Sequence, residues 1–363
     1  MMSGFNYLKA LVLPVMLLFA VTGSGQSSQK SLGELQEIAE RIHSKYLTID
    51  THNDTALHIN NPKESSRITK GQVSFPLMRD GGLDAALFAV FIGQKGRDKA
   101  SLDSAFNYVR DNLSRFRSYV EDYPGAAIAY NSDDLLRNKE NGVTSVMLAI
   151  ENGYAIGDDI SRLELFRDMG VRAITLCHNE HNNICDASMD KGGPEHNGLS
   201  EFGKEVVREM NRLGIVIDLS HASTQTLSDV VKLSSKPVIA SHSGVYAIKN
   251  HNRNLKDNEI KAIADAGGLI QVATGRFFLS ELPKDSVTVA HIADHIDYVK
   301  NLVGIDHVGL GTDFDGGGGV VGMENASKMK NLTIELLRRG YSEEELAKFW
   351  GGNFIRFLKH QNL

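Results

Sequence analysis

Histidines and acidic residues recur in this sequence directly after apolar runs. They stand as His52-Asn53-Asp54, as Glu151 behind Val146-Met147-Leu148-Ala149-Ile150, as Asp218-Leu219-Ser220-His221 and as Ser241-His242-Ser243. Imidazoles and carboxylates aimed at one point are good ligands for a divalent cation. If the apolar runs are strands, alternation puts His52 and Asp54 on the same side. A Glu at the end of such a run, as Glu151 is, faces a costly burial unless it is paired or ligated. His221 and His242, at one level on adjacent strands, could share an ion. His178, Asp313 and Asp315 stand at further strand ends as candidates for acid–base and oxyanion roles. Singly, each group has a bland alternative. His52 and Asp54 could be surface polar residues, Glu151 a solvated Glu, and each histidine a hydrogen-bonded structural one. Asp313 and Asp315 could be turn residues ahead of Gly316 to Gly319. Four strand ends carrying metal-type ligands together outweigh those alternatives. The serines around His242 invite a Ser-His-Asp reading, but no Gly-x-Ser-x-Gly elbow occurs. The glycine run lacks the Lys-Ser or Lys-Thr of a phosphate loop.

Positioning these groups requires a repeated strand–helix unit. Strand-like runs are expected at Tyr46–Asp50, Leu83–Ile92, Val143–Ile150, Arg172–Cys177, Ile215–Leu219, Pro237–Ala240, Leu269–Ala273 and His307–Gly311. Helical stripes alternate with them. Leu102, Ala105, Val109, Leu113, Phe116 and Val120 mark one, and Phe202, Val206, Met210 and Leu213, stopping at Gly214, mark another. Ile260, Ile263 and Ala264 precede Gly267, and Ser342 with Glu345 has capping-box spacing. Leu32, Leu35, Ile38, Ala39 and Ile42 predict an N-terminal helix before the first strand. Eight units imply closure into an α/β barrel of the TIM type, a (β/α)8 single domain with that N-terminal helix and inserted loops. Catalytic groups of such barrels sit at the C-terminal strand ends, where these residues fall. The segment Phe277 to Thr288 is a candidate cover for the site.

The 363 residues are 42% hydrophobic and 23% charged, enough for a large core, and the net charge of −6 argues against a nucleic-acid partner. Lys9, the apolar run Ala10 to Val21 and the small residues Thr22 to Gly25 read as an export signal over residues 1–25, with the enzyme proper in 26–363. The expected location is therefore periplasmic or secreted, with no stable membrane anchor after cleavage. Cys177 and Cys185 are expected as two separate thiols.

The residues resemble the membrane dipeptidase (renal dipeptidase) family of amidohydrolase-like metallopeptidases. The likeness runs through Ile49-Asp50-Thr51-His52-Asn53-Asp54, Ala149-Ile150-Glu151-Asn152-Gly153 and Gly170 to Asn179. It continues through Asn197-Gly198-Leu199-Ser200, Leu213 to His221, Pro237 to Ser243, Asn252-Arg253-Asn254, Gly311 to Gly316 and Gly351-Gly352-Asn353. It implies hydrolysis of dipeptides by a metal-bridging hydroxide, with two Zn2+ per chain. His52 and Asp54 would hold one ion, His221 and His242 the other, and Glu151 would bridge them. By the same resemblance His178 stabilises the oxyanion or contacts substrate, Arg253 binds the terminal carboxylate and Asp313 moves the proton. A homodimer is implied in the same way. The stretch Asn179-Glu180-His181-Asn182-Asn183-Ile184-Cys185-Asp186 departs from the family's Asn-Thr-x-Trp-Ala-Asp form, which leaves pocket shape open. A relative cleaving N-acyl amino acids or β-lactams would keep the ligands, and a decayed binding protein would lose them.

Overall fold

The computed structural model describes residues 1–2, 30–58 and 71–363. The apolar run Ala10 to Val21, on which the export reading rests, lies outside the described residues. Among them no helix is long and apolar enough to cross a membrane.

Among the described residues nine strands form one parallel sheet: β1 Ile49–Asn53, β2 Ala85–Phe91, β3 Ala126–Ile128, β4 Thr144–Glu151, β5 Val171–Thr175, β6 Val216–Asp218, β7 Ile239–Ser243, β8 Leu269–Val272 and β9 Val308–Leu310. Eight of them follow the path β1-β2-β4-β5-β6-β7-β8-β9, and the short β3 adds onto the start of β4. The chain just past β9 returns to β1. The Asp54 N–H donates to Phe314 O and the Asp313 N–H to His52 O, both at 2.9 Å. The Asp50 carboxylate accepts from the Thr312 N–H and hydroxyl, each at 2.7 Å. A Cβ on Gly311 would lie 1.7 Å from Ser241 O, so this approach requires glycine.

Alternation divides the core in two. Ala86, Phe88 and Val90 of β2 join the large shell between strands and helices, whereas Ala85, Leu87 and Ala89 face a second cluster with Met147, Ala149, Ala173 and Val216. Phe354, Phe357 and Leu358 of the terminal helix Asn353–Gln361 pack into that second cluster and close one end of the barrel. The expected helices appear as Leu32–Lys45, Lys99–Asp122, Glu201–Leu213 and Asp257–Asp265. Gly214 takes the left-handed conformation at φ 66°, and Ser342 and Glu345 form the expected capping box. The Phe277–Thr288 segment opens with a short helix, Arg276–Leu279, and Phe278 O accepts a 2.8 Å bond from Asn254 Nδ2.

Two strands run further than their apolar residues indicate. Tyr46–Asp50 gives way to Ile49–Asn53, and Pro237–Ala240 to Ile239–Ser243. Both shifts arise because the added residues are polar, yet every residue of both strands is buried. Ile49 and Ile239 lie in the inner cluster. Strict alternation from them would turn His52 and His242 outward. Register irregularities between Asp50 and Asn53, and between Ala240 and Ser243, re-aim those rings inward.

Two buried histidines lie apart from the barrel mouth. His43 bonds Gly82 O at 3.0 Å and Thr333 Oγ1 at 2.6 Å, and His295 accepts the Val245 N–H at 2.9 Å. Burial holds both down to about 4. In the unfolded chain each titrates near 6.5, so the unfolded state takes up these protons first as pH falls. The corresponding stability is intact above pH 6.5 and is lost progressively towards pH 4, at about 1.4 kcal/mol per pH unit for each histidine. With a chelator present, so that metal loss plays no part, the thermal midpoint of wild type should fall more between pH 7 and pH 5 than that of His295→Gln, which shares every other titrating group. An equal fall in the two proteins contradicts this account.

Candidate metal centre

Glu151 ends β4 on the inward parity of Met147 and Ala149, and is 4% exposed. Its Oε1 lies 3.0 Å from His221 Nε2 and 3.5 Å from His242 Nε2, and those two nitrogens are 3.1 Å apart. On its other side Oε2 lies 3.8 Å from His52 Nε2, which is 3.7 Å from Asp54 Oδ2. The His52 and His242 rings stack at 3.7 Å. All five expected ligands therefore meet at one point, with Glu151 between two groups.

The Nδ1 partners favour one tautomer for each of two rings. His221 Nδ1 faces Asn179 Oδ1 at 2.9 Å, and His242 Nδ1 faces Ser241 Oγ at 2.8 Å. A neutral imidazole carries one N–H. Donating at Nδ1, each ring turns a bare Nε2 lone pair towards the other and towards Glu151 Oε1. Three such acceptors within 3.5 Å repel unless a proton or a metal cation lies among them. On the other side, His52 Nε2 and Asp54 Oδ1 are buried and make no hydrogen bond. Such unpartnered buried polar atoms fit a metal site, so the residues here suit a divalent ion. Geometric grouping also brings His178 within reach of Glu151 and His221, and Asp218 within reach of His52 and His242.

The electrostatics agree. Burial raises the Glu151 carboxyl well above its usual range, and the Asp54 charge adds to this. Burial also pushes Asp313 up to about 7. Burial, then the Arg253 charge, holds His178 down to about 4 and His221 well below 6.5. Burial also holds His242 down, aided by the neighbouring His52 charge. At His52 burial opposes the proton, but the Glu151 and Asp54 carboxylates outweigh it and raise the ring to about 10. A buried knot of carboxylates, with neutral rings at His178, His221 and His242 and a proton drawn onto His52, is one that a divalent cation would stabilise by taking the place of that proton.

The other expected residues surround this knot. His178 follows β5, rests on Phe91 at 4.6 Å and on His221 at 4.2 Å, and brings Nε2 to 3.9 Å from Glu151. Its side chain is 26% exposed, the most open of the group. Asp313 takes φ 59°, and its carbonyl accepts from the Gly316 and Gly318 N–H groups. Such a left-handed non-glycine residue costs about 1–3 kcal/mol and is held by its surroundings. His221 shares this feature at φ 71°. Asp315 points elsewhere. It accepts from the Gln72 N–H at 2.8 Å and from the Thr55 hydroxyl, which fits a structural turn.

Arg253 is 5% exposed, with Phe278 5.4 Å from its guanidinium carbon. One Nη donates to His242 O at 3.3 Å, while Nε has no partner. It lines a cavity of ≈ 520 Å³ with His221, Ser188, Asn197, Ser243 and Tyr246. One wall of this cavity comes from the segment that departs from the family's form. There Asp186 accepts from the N–H groups of Glu195, His196 and Gly198 at 3.0–3.1 Å. Burial opposes its charge, but these bonds hold its carboxyl below the usual range. His181 accepts the Ala187 N–H at 2.9 Å and meets Gly193 O at 2.7 Å, so it braces the loop. Cys177 and Cys185 are buried free thiols beneath it.

Sequence reasoning did not single out Asn179 or Ser241 as orienting groups. The only signal was adjacency, since each is next to a histidine of the site in the chain.

The chain is 35% identical over 295 residues to dipeptidase aclJ of Aspergillus oryzae, which covers 79% of this chain and 69% of that protein. It is 34% identical over 298 residues to dipeptidase tcpJ of Claviceps purpurea, covering 80% and 69%. The solved structure of the probable dipeptidase PvdM from Pseudomonas aeruginosa superposes with a TM-score of 0.84 at 28% identity, covering 91% of this chain and 99% of that one. A metallopeptidase from Rhodobacter sphaeroides, solved with a phosphinate mimic of L-Ala-D-Ala, shares the fold at a TM-score of 0.80 and 24% identity, covering 87% and 99%. Residues 36–363 match the membrane dipeptidase family, Peptidase family M19. The chain belongs to that family and is a metallo-dipeptidase acting on small peptides.

Proposed function

We propose that the enzyme works with two zinc ions bridged by Glu151, with His52 and Asp54 completing one site and His221 and His242 the other. The observation that carries this is the convergence of Glu151 Oε1 with the Nε2 atoms of His221 and His242, beside the unpartnered buried atoms of His52 and Asp54. When bound, the ions would supply a water acidic enough to attack near neutral pH and a Lewis acid for the scissile carbonyl.

The remaining roles belong to the chain. Arg253 presents its unpaired Nε and planar fork to the substrate's terminal carboxylate, and Phe278 fixes the plane of that fork. That anchor sets the peptide bond against the Glu151 cluster. His178, kept neutral, donates an N–H to the carbonyl oxygen as charge builds there. Asp313 accepts the proton of the attacking water and returns it to the leaving amine. Its carboxyl is raised to about 7 by burial, which suits a group that must both take and give a proton.

A panel of L,L- and L,D-dipeptides, with N-acetyl amino acids alongside, tests the reading. The zinc-loaded protein should release free amino acids from dipeptides, stop when a chelator removes the zinc and recover when zinc is restored. Elemental analysis should find two zinc ions per chain. A folded, zinc-loaded protein that cleaves only the acetylated substrates would overturn the assignment of substrate. A single zinc per active chain would overturn the two-ion site.

A further inference from the structure

Asp218 lies within 4.8 Å of the ligand atoms of His52 and His242, and by distance alone it qualifies as a sixth ligand. Its hydrogen bonds argue otherwise. Oδ1 accepts the Ser220 N–H at 3.0 Å and the Ser241 N–H at 2.9 Å. Oδ2 accepts the Thr175 hydroxyl and the Ser241 hydroxyl, both at 2.6 Å. A carboxylate has about four acceptor positions, and four donors fill them here. None is left to face an ion.

The Ser241 hydroxyl proton thus points at Asp218. Its oxygen is left to accept, and His242 Nδ1 stands 2.8 Å away. The order is carboxylate, serine, imidazole, with the serine in the middle. In a nucleophilic triad the imidazole is in the middle and takes the serine's proton. The Ser241 hydroxyl donates to a carboxylate whose acceptor positions are already filled, and Ser241 is 3% exposed, so it is not a nucleophile. The Ser220 hydroxyl braces the same residue by accepting the His242 backbone N–H at 3.0 Å.

We infer that Asp218 and Ser241 are positioning residues, a relay that locks His242 in the tautomer whose Nε2 is free to bind the cation. The inference rests on the zinc reading above. Partners of this kind orient a ligating histidine and raise its basicity, and losing one weakens metal binding by about 10–100-fold. The relay assigns Ser241→Ala and Asp218→Asn different physical effects. Ser241→Ala deletes the acceptor for His242 Nδ1. In Asp218→Asn the backbone N–H groups keep the amide oxygen on their side. The amide nitrogen then faces Ser241 and donates to it. That turns the Ser241 proton towards His242 Nδ1 and favours the wrong tautomer.

The test is extraction of zinc from the loaded enzyme by a chromophoric chelator, with the visible spectrum of the cobalt-loaded form as a second reading. Ser241→Ala should lose one of the two zinc ions at about 10–100-fold lower chelator concentration than wild type. Asp218→Asn should lose it at least as readily, Ser241→Thr should hold it nearly as wild type does, and the cobalt band should move in the first two variants only. If Asp218→Asn releases zinc while folded Ser241→Ala holds both ions normally, Asp218 is a ligand and the relay is wrong. Normal retention in both variants also overturns it, as does a folded Ser241→Thr that fails to restore binding. Should Asp218→Asn not fold, Ser241→Ala decides alone, since it removes a single oxygen. A wild-type protein that holds no zinc would instead remove the zinc reading itself.

Discussion

Glu151→Gln should lower kcat/KM for dipeptides by at least about 10³-fold, equivalent to roughly 4 kcal/mol of transition-state stabilisation. The amide preserves volume but cannot offer two anionic oxygens to two groups of ligands at once. Bound zinc should fall from two ions per chain to one or none. The fold should survive. Burial raises the Glu151 carboxyl well above its normal range, so its charged form strains the metal-free protein. The thermal midpoint of the chelated variant should therefore equal or exceed that of chelated wild type. A variant that keeps both ions and a tenth of the activity would remove Glu151 from the bridging position.

Arg253 gives the second large effect. Breaking a buried, hydrogen-bonded charge pair with substrate costs about 2–5 kcal/mol, so Arg253→Met should reduce kcat/KM about 30-fold at the least. Arg253→Lys should recover little, because an ammonium cannot reproduce the planar fork. Zinc content should not change. The control is a dipeptide whose C-terminus is an amide. Wild type should cleave it poorly, and Arg253→Met should scarcely worsen it, since the charge that Arg253 reads is already gone. Equal losses on acid and amide would show that Arg253 acts on the structure of the site rather than on the carboxylate.

The eight barrel strands were legible because their apolar runs are buried on both faces. The meeting of the candidate ligands was legible because barrels place such groups at strand ends. Four features were not. Thr51 to Asn53 and Ser241 to Ser243 are strand residues without an apolar signature, so β1 and β7 were read short. The irregularities that turn His52 and His242 inward leave no trace in residue type. The strand Ala126–Ile128 is three residues long and joins only the rim of β4, too little for a pattern. Asn179 and Asp218 act across gaps of 42 and 23 residues, on His221 and Ser241. Spacing along one strand cannot show such contacts. His181 was visible as an unexplained polar group, and only the three-dimensional loop shows that it braces the wall of the cavity.

Closure of the sheet on itself bears on the order in which the protein is assembled. His52 and Asp54 are near the start of the chain, yet the contacts that hold them come from Thr312 to Phe314. A ribosome that has made every ligand up to His242 has still not made the residues that seal β1 in place. Until then the early ligands belong to an open sheet with an unpaired edge, and no finished cage exists to discriminate among ions. For the metal site proposed above, the ions abundant where folding ends would then weigh, together with ligand geometry, in which cation is bound. The same polypeptide finished in two compartments would be expected to carry two different metal loads.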